Sequence, residues 1–380
     1  MRNLEGPGLL RFRFGSFEVK APLLLHGVGE TISDVPVALG GKTSPGIFQA
    51  DPLLRVGLQV SVKDLLFSGF RLVGEHEHDM HLNASFPLQN ADDNSTIPLA
   101  GEGLPNQNHL ELYDLRKALL RVHVGRAFFA SAGVMSPHWG LGLVSNDGAH
   151  TWSPQSALFT HPHHGDRVLR TMVGTGPWTD IGLSGSFFAD LVLDDDALLL
   201  AREYSDPDTA ENDFAWQAGG ALFFGRGQRF GAGLYGALRS QTTSDGRALI
   251  GGIGDVTAHY EQRFFDFVDV KVEGEFALIA GSTNFSPNLN YEDQLVLQYG
   301  GVLRAGAAMG LFGAVVDFVY ASGDQNYDDN MQNALRIDQS FDMGMLLYKQ
   351  VLASQTGHAV VTAGDPNLVG AAATGLGDWC

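Results

Sequence analysis

The sequence predicts an all-β protein, and within that class a single antiparallel transmembrane β-barrel of about fourteen strands, in a range of about twelve to eighteen. Three observations support this fold class. Apolar and polar residues alternate over segments of ten or more residues, glycine supplies 48 of the 380 residues, and charged residues make up only 18% of the chain. Strands of soluble sheets usually run about five or six residues, so segments of this length favour strands that cross a membrane.

The clearest alternation covers residues 54–63, where five leucines and valines share one face. Polar residues alternate with them: Arg55, Gln59 and Lys63. The same period covers residues 268–278, where one face is apolar and the other is charged. The charged face consists of four residues: Asp269, Lys271, Glu273 and Glu275. Because four charges on one face do not pack in an apolar core, we expect such faces to line a water-filled or loop-plugged lumen.

A hairpin is predicted over residues 214–239, with its turn at 225–228. Further strands are predicted at 12–20, 119–128, 181–191, 197–204, 256–264, 295–303, 307–320 and 335–347. Polar and acidic loops separate many of them, at 90–108, 145–164, 206–213, 281–293 and 322–333. Only residues 113–120 favour a short helix. Long loops are expected at one end of the barrel and short turns at the other.

We expect one barrel domain over residues 1–380, because no linker or shift of composition divides the chain. No signal peptide is visible, and the most apolar run, residues 305–316, is shorter than a spanning helix requires. The chain ends in Asp-Trp-Cys rather than in a finished strand, so we expect either that the closing strand lies elsewhere in the chain or that the sequence is a fragment. The formal charge of −19 argues against a nucleic-acid partner and favours the passage of cations.

The most distinctive motifs are Gly125-Arg126, Ser-Pro-His-Trp-Gly-Leu-Gly-Leu at 136–143, Ser-Asn-Asp-Gly at 145–148, and Gly-Asp-Arg at 165–167. They resemble motifs of a family of uncharacterised outer-membrane barrels best known from myxobacteria, which is loosely similar to alginate-export and porin-like barrels. That family follows its Asn-Asp-Gly turn with a Gly-Asp-x-x-Asp-Arg box, in which Leu169 here replaces the second Asp. The resemblance extends from about residue 110 and implies location and architecture; a transport role follows only by analogy.

Two interpretations of the His-Trp-Gly motif stay open. In the first, it folds into the lumen as a constriction whose charge is set by Arg126, His138 and Asp147. In the second, Trp139 is an interfacial anchor and residues 146–148 form a tight turn. The lumen candidates are Arg126, His138, Trp139, Asp147, Asp166, Arg167, Asp269, Lys271, Glu273 and Glu275.

Two histidine clusters, at residues 76–81 and 161–164, are candidate metal sites. Alternate imidazoles on a strand share a face, which suits Zn²⁺ or Cu²⁺. The candidate ligands are His76, His78, His161, His163 and His164. Both clusters lie in polar sequence predicted to loop, so solvated histidines are the favoured interpretation. Residues 324–330 are rich in oxygen ligands but lack the glycine and the glutamate of a Ca²⁺ loop. No cofactor is therefore expected, with Zn²⁺ or Ca²⁺ in a loop as the minor alternative.

The predicted function is that of a porin-like channel in the outer membrane of a Gram-negative cell, for passive passage of small polar solutes or a polysaccharide. A structural or adhesion barrel with a plugged lumen is the main alternative, ahead of a barrel-borne enzyme and a soluble β protein. No nucleophile elbow, zinc-protease motif, P-loop or dinucleotide fingerprint is present, so no enzymatic activity is expected. The expected partners are outer-membrane lipid and the transported solute, and the oligomeric state is left open.

Overall fold

The structure, a computed structural model, describes residues 10–32, 35–36, 43–44, 47–87, 109–125, 127–147, 165–178, 181–194, 214–225, 229–243, 246–285, 290–310, 312–324, 326, 329–338 and 341. Every regular element in these ranges is a β-strand. Over the same residues, no helix has the length and apolarity needed to cross a membrane. The described residues fall into two compact units. Unit 1 lies within residues 1–63 and 73–118, and unit 2 lies within 64–72 and 119–345.

The strands of unit 1 are β1 (Leu10–Phe14), β2 (Phe17–Ala21), β3 (Leu23–Ile32), β4 (Val35–Pro36), β5 (Thr43–Ser44), β6 (Ile47–Lys63), β7 (Phe70–Pro87) from residue 73, and β8 (His109–Val124) up to residue 118. They form a sheet in the order β1-β2-β6-β7-β8, with β3 also paired to β6. β2 and β3 pair with successive parts of β6, because Pro22 between them lacks the N–H of a continuous strand. β4 pairs with β5.

Unit 2 continues β8 from residue 119 and adds β9 (Phe128–Met135), β10 (Arg167–Trp178), β11 (Leu183–Asp194), β12 (Phe214–Phe224), β13 (Phe230–Thr242), β14 (Ala248–Phe264), β15 (Val268–Thr283), β16 (Gln294–Met309), β17 (Phe312–Ala321) and β18 (Met331–Gln332). From β9 to β17 each strand is antiparallel to its neighbour in the chain. β18 runs parallel to β16. Unit 2 is therefore a long antiparallel meander.

Successive connections of a meander lie at alternate ends, which sorts the connections of unit 2 into two groups. Short turns share one end, at residues 125–127, 179–182, 225–229, 265–267 and 310–311. The other end has the longer connections 136–166, 195–213 and 284–293, together with one short turn at 243–247. Residues 136–147 belong to one of the longer connections.

The prediction of an all-β antiparallel fold with about fourteen strands is confirmed. Three local predictions are wrong. Residues 113–120 lie within β8 instead of forming a helix, because pairing in the sheet outweighs local propensity. The strand predicted at 307–320 is divided into β16 and β17 at Gly310, whose φ of 59° allows the turn. Residues 335–338, predicted as the start of a strand, have no regular secondary structure.

Two other predicted strands differ from the structure in their boundaries. The strand predicted at 12–20 is the hairpin β1–β2, and the one predicted at 119–128 includes the turn between β8 and β9. The longer strands β3, β7, β9 and β10 and the two-residue strands β4, β5 and β18 were not predicted. His76 and His78, expected in a loop, lie in β7. Charged residues on one side and histidines on the other hide the apolar row that would have indicated β7. The strand predicted at 197–204 lies outside the described residues.

Candidate functional site

Unit 2 has two faces of opposite chemistry, which we call the inner and the outer face. On β15 the inner face carries Glu275 and Ala277, exposed by 4% and 0%, whereas Phe276 and Leu278 on the outer face are exposed by 50% and 42%. A similar alternation runs along β10, β12, β13 and β16. A water-soluble sheet with one solvated face would bury the apolar side, so this distribution is the reverse of the usual one.

Charged side chains of the inner face are paired across neighbouring strands. Arg170 on β10 donates from Nε and Nη2 to the two oxygens of Asp190 on β11, at 2.7 and 2.6 Å. Gln217 on β12 donates to the same carboxylate at 2.9 Å. Arg304 on β16 and Asp317 on β17 form a second two-pronged pair at 2.8 and 2.7 Å. Such pairs compensate the cost of burying each charge and hold the guanidinium groups in fixed positions.

Unit 1 has a comparable polar network on β6, β7 and β8. Arg55 donates from Nε and Nη2 to Asp79, both at 2.7 Å, and Arg116 Nε lies 3.7 Å from the same carboxylate. Lys117 Nζ lies 3.1 Å from Glu77 Oε1. Unit 1 therefore also buries charges of both signs in mutual contact.

Residues 136–147, which follow β9, lie against the inner face of unit 2, and we call them the inward segment. Its Trp139 is 5% exposed and donates from Nε1 to Asp255 Oδ1 on β14 at 2.7 Å. The centroid of the Trp139 ring lies 4.8 Å from that of Phe223 on β12 and 5.2 Å from that of Tyr235 on β13. One side chain thus contacts three neighbouring strands.

The backbone of the inward segment binds the carboxylate of Glu275 on β15. Leu141 N donates to Oε2 of Glu275, and Leu143 N donates to Oε1 at 3.1 Å. Gly140 and Gly142 have φ values of 57° and 89°, in the left-handed region. This backbone directs two N–H groups at one anion, as an anion-binding nest does. A Cβ at residue 140 would overlap the Glu275 carboxylate, so glycine is needed there for close approach as well as for conformation.

Replacement of Gly140 with alanine should therefore weaken the docking of the inward segment. Strain at positive φ and overlap with Glu275 together predict a loss of about 2–3 kcal/mol in the free energy of unfolding, measured by urea titration in lipid vesicles. Gly310→Ala is the matched control, since Gly310 has nearly the same φ of 59° and open space around it. Equal losses for the two variants would show that the contact with Glu275 is energetically neutral.

A second stretch, residues 333–338 with Phe341, packs beside the inward segment. Leu335, Ile337 and Phe341 are buried, and the guanidinium carbon of Arg304 lies 6.0 Å from the centroid of the Phe341 ring. Asp338 connects the two stretches: its N donates to Leu143 O at 3.0 Å, and its Oδ2 accepts from Asn146 N at 3.0 Å. The two stretches therefore form one buried layer over part of the inner face.

Solved structures resemble this chain only distantly. One of them is OmpT (in-vitro folded), an outer membrane protein of Vibrio cholerae. It has 9% sequence identity over 86% of this chain and 95% of that chain, with a TM-score of 0.35. No family model and no curated protein matches the chain, so the resemblance to the myxobacterial barrels has no such match in its support.

The structure brings several of the candidate residues from the sequence to the inward segment. His138 Nδ1 lies 3.5 Å from Asp147 Oδ1, and Trp139 is buried against the inner face instead of having the exposure of an interfacial anchor. Asp166 N donates to Asn146 O at 3.1 Å, which ties the start of β10 to the same segment. Arg167 follows at the first position of β10. Arg126 lies outside the described residues.

The four charged residues predicted together on β15 have different surroundings. Glu275 binds the inward segment, as described above. Lys271 Nζ pairs with Glu273 Oε1 at 2.7 Å on the same strand. Asp269 lies near the turn after β14 and accepts from Arg263 at 2.7 Å in an exposed pair. The four residues therefore do not act as one charged row: Glu275 binds the inward segment, whereas Asp269 pairs with Arg263 at the exposed end of β15.

Two acids of this site were missed in the sequence. Asp255 lies in β14 after a glycine-rich stretch, and the signal that could have revealed it is a single acid in an otherwise uncharged half of a strand. Asp338 lies in the segment predicted as a strand, where alternation gave the wrong assignment. Their partners are 116 and 192 residues away in the sequence, beyond the range of any local pattern.

The histidine candidates fall on different parts of the chain. His76 and His78 lie on β7 with ring centroids 5.7 Å apart, and both rings stack with Tyr113. No group of three or more metal-ligating side chains that could hold a metal ion is found among the described residues. A metal at His76 and His78 stays the minor alternative to the expectation of no cofactor. His161, His163 and His164 lie outside the described residues.

The oxygen-rich loop near residue 324 is only partly described. Asp324 Oδ1 accepts from Asn326 N at 3.1 Å, and its Oδ2 accepts from Asn333 N at 3.2 Å. These bonds use the Asp324 carboxylate to fix the loop backbone. Residues 325, 327 and 328 lie outside the described residues, and Ca²⁺ binding there stays the minor alternative to the expectation of no cofactor.

Proposed function

We propose that this chain is an outer-membrane β-barrel protein of a Gram-negative cell, whose inner face lines a narrow passage for small polar solutes or a polysaccharide. In this proposal the inward segment obstructs the passage and sets its width. Outer-membrane lipid covers the outer face, and the chain carries out no catalytic step.

The observation that carries the proposal is the reversed distribution of residues between the two faces of unit 2. Large apolar side chains such as Leu238, Phe187 and Phe318 are 67–74% exposed, whereas Arg170, Asp190 and Glu275 are buried. In water the exposed apolar rows would be unfavourable by roughly 25 cal/mol for each Å² of apolar surface. A lipid environment removes that cost, and membrane barrels have this alternation of apolar and polar faces.

The charges of the inner face support selection of polar solutes. Arg170 with Asp190 and Arg304 with Asp317 place both signs on the same face. A lumen with mixed charges selects solutes through local rings of charge, whatever the net charge of the protein. The formal charge of −19 can still enrich cations at the entrance.

A second candidate function is that of a structural barrel with a closed lumen. The specific observation that favours it is the buried layer formed by Trp139, Leu143, Leu335 and Ile337. If this layer never moves, water and solutes have no continuous path along it. Conductance measurements separate this scaffold from a channel.

The experiment that tests the channel compares single-channel conductance in planar bilayers for the wild type and the Trp139→Ala variant. Removal of the indole opens space beside Phe223 and Tyr235, so we expect conductance to rise by roughly twofold or more. Trp178→Ala is the matched control, because Trp178 lies near a turn and is half exposed. A wild type and a Trp139→Ala variant that are both silent would favour the closed scaffold.

A further inference from the structure

Asp255 and Glu275 differ from the buried acids Asp79 and Asp190. Asp79 and Asp190 each bind an arginine at 2.7 Å or less. Neither Asp255 nor Glu275 contacts a lysine or an arginine within the described part of the chain. The two acids lie side by side on adjacent strands, since Asp255 pairs in register with Ala277, two residues from Glu275. Two buried acids without a cation are costly unless other groups compensate their charge.

The compensating groups come from the inward segment. Three N–H donors point at the two carboxylates: Nε1 of Trp139 at Asp255, and the backbone N of Leu141 and of Leu143 at Glu275. Oδ2 of Asp255 is buried and receives no donor among the residues that the structure describes. The side chains of Asp255 and Glu275 also hydrogen-bond to each other. The two acids are therefore bound by neutral N–H groups and by one another, and Oδ2 of Asp255 has acceptor capacity left over.

A slot for a flat ring adjoins the two acids. Phe223 and Tyr235 border the indole of Trp139, with the ring centroids 4.8 and 5.2 Å from it. Gly233 forms the floor, because a Cβ there would lie 2.9 Å from the Trp139 ring. The indole of Trp139 occupies this slot. Aromatic rings line its side, Gly233 leaves room below it, and the Asp255 carboxylate lies at the edge of the ring.

We propose that Asp255 and Glu275, together with Phe223 and Tyr235, form a binding site for an organic cation that carries a protonated amine on a flat ring. The inward segment occupies this site as an internal substitute for the ligand. A protonated amine supplies N–H donors of the kind that the segment supplies and adds the positive charge that the peptide groups lack. Charge-assisted hydrogen bonds are stronger than neutral ones, and the aromatic wall favours a cation. The site rests on the proposed function, because the ligand reaches it along the polar inner face.

The inward segment and the ligand compete for the same groups, so the measured affinity depends on how often the segment leaves. The apparent dissociation constant equals the intrinsic constant divided by the fraction of molecules with a free site. A variant that weakens the docking of the segment must therefore bind the ligand more tightly. A simple structural contact would give no such gain.

The test uses tryptamine as the probe, with isothermal titration of the full chain in detergent micelles. The wild type should bind it weakly, and Trp139→Ala should bind it about tenfold more tightly or better. Addition of Asp255→Asn and Glu275→Gln to Trp139→Ala should abolish the gain. Neutral indole, which has the same ring without the charge, should bind each variant at least about tenfold more weakly than tryptamine.

Two further variants keep the test decisive. Trp178→Ala removes a tryptophan outside the site and should bind as the wild type does. Gly140→Ala weakens the segment while it keeps Trp139, so it should also bind tryptamine more tightly, which covers the case that Trp139→Ala does not fold.

Several results would overturn the proposal. They are an unchanged affinity in Trp139→Ala and Gly140→Ala, a gain that survives loss of both acids, equal binding of indole, or a wild type that does not bind at about millimolar tryptamine. Binding with a silent bilayer would defeat passage and leave the site standing. Conductance without binding would defeat the site alone.

Discussion

Replacement of Asp190 with alanine is expected to lower the free energy of unfolding by about 3–5 kcal/mol, because it leaves Arg170 buried without its counter-ion. The Asp190 side chain is fully buried and accepts two bonds from Arg170 and one from Gln217. The guanidinium also lies 4.3 Å from the centroid of the Phe188 ring, in contact with a buried apolar cluster. Urea titration in lipid vesicles measures the change.

The double variant Asp190→Ala with Arg170→Met should recover most of that loss, since it removes the unpaired charge and keeps apolar volume. The exposed pair of Arg263 and Asp269 is the matched control: Asp269→Ala should leave the unfolding midpoint unchanged. A double variant as unstable as Asp190→Ala alone would show that the loss comes from packing and not from the charge.

Introduction of arginine at Val256 on the outer face is expected to cost about 2–4 kcal/mol in a lipid bilayer. Val256 is 48% exposed, lies near the middle of β14 and pairs with Phe276 on β15. An arginine there must leave water for hydrocarbon, whereas on a water-facing strand it would be nearly neutral. Refolding and unfolding in vesicles of defined lipid give the free energy.

The position of the substituted residue along the membrane normal provides an internal control for this prediction. Phe265 is 82% exposed at the turn between β14 and β15, and Phe265→Arg should cost only about 0–1 kcal/mol, as substitutions near the membrane interface do. Similar small costs at both positions would contradict a lipid-facing outer surface. A large cost at Phe265 and a small one at Val256 would place the hydrocarbon at the turn end.

The sheet could be predicted from the sequence because its signal is local. On β15 the alternation of Glu273 and Glu275 with Phe276 and Leu278 assigns each residue to a face without knowledge of the partner strand. The hairpin at 214–239 was found for the same reason. β7 was missed because it carries charged residues on one side and two histidines on the other, which leaves no continuous apolar row to count.

The site could be predicted only in part. The motif at 136–143 was recognised, and one of its two interpretations placed it in the lumen, but nothing in the sequence indicated that Glu275 would accept Leu141 N and Leu143 N. Asp255 and Asp338 were missed because hydrogen bonds over such distances in the chain have no periodic signature. A fold pairs residues by position in space, and two short stretches without regular structure can be placed only after the sheet is known.

The contacts of unit 2 also differ in the number of residues in the loop that each contact closes. Neighbouring strands are joined by short turns or by connections no longer than residues 136–166, so the meander can grow one hairpin at a time with a smaller loss of loop entropy than a long-range contact requires. The bond between Asn146 and Asp338 closes 192 residues. If every strand between them is already in place, most of that entropy has been lost beforehand, so the remaining cost of docking residues 136–147 is small. The last part of unit 2 to assemble is then also the part that can detach without disturbing a single strand pair.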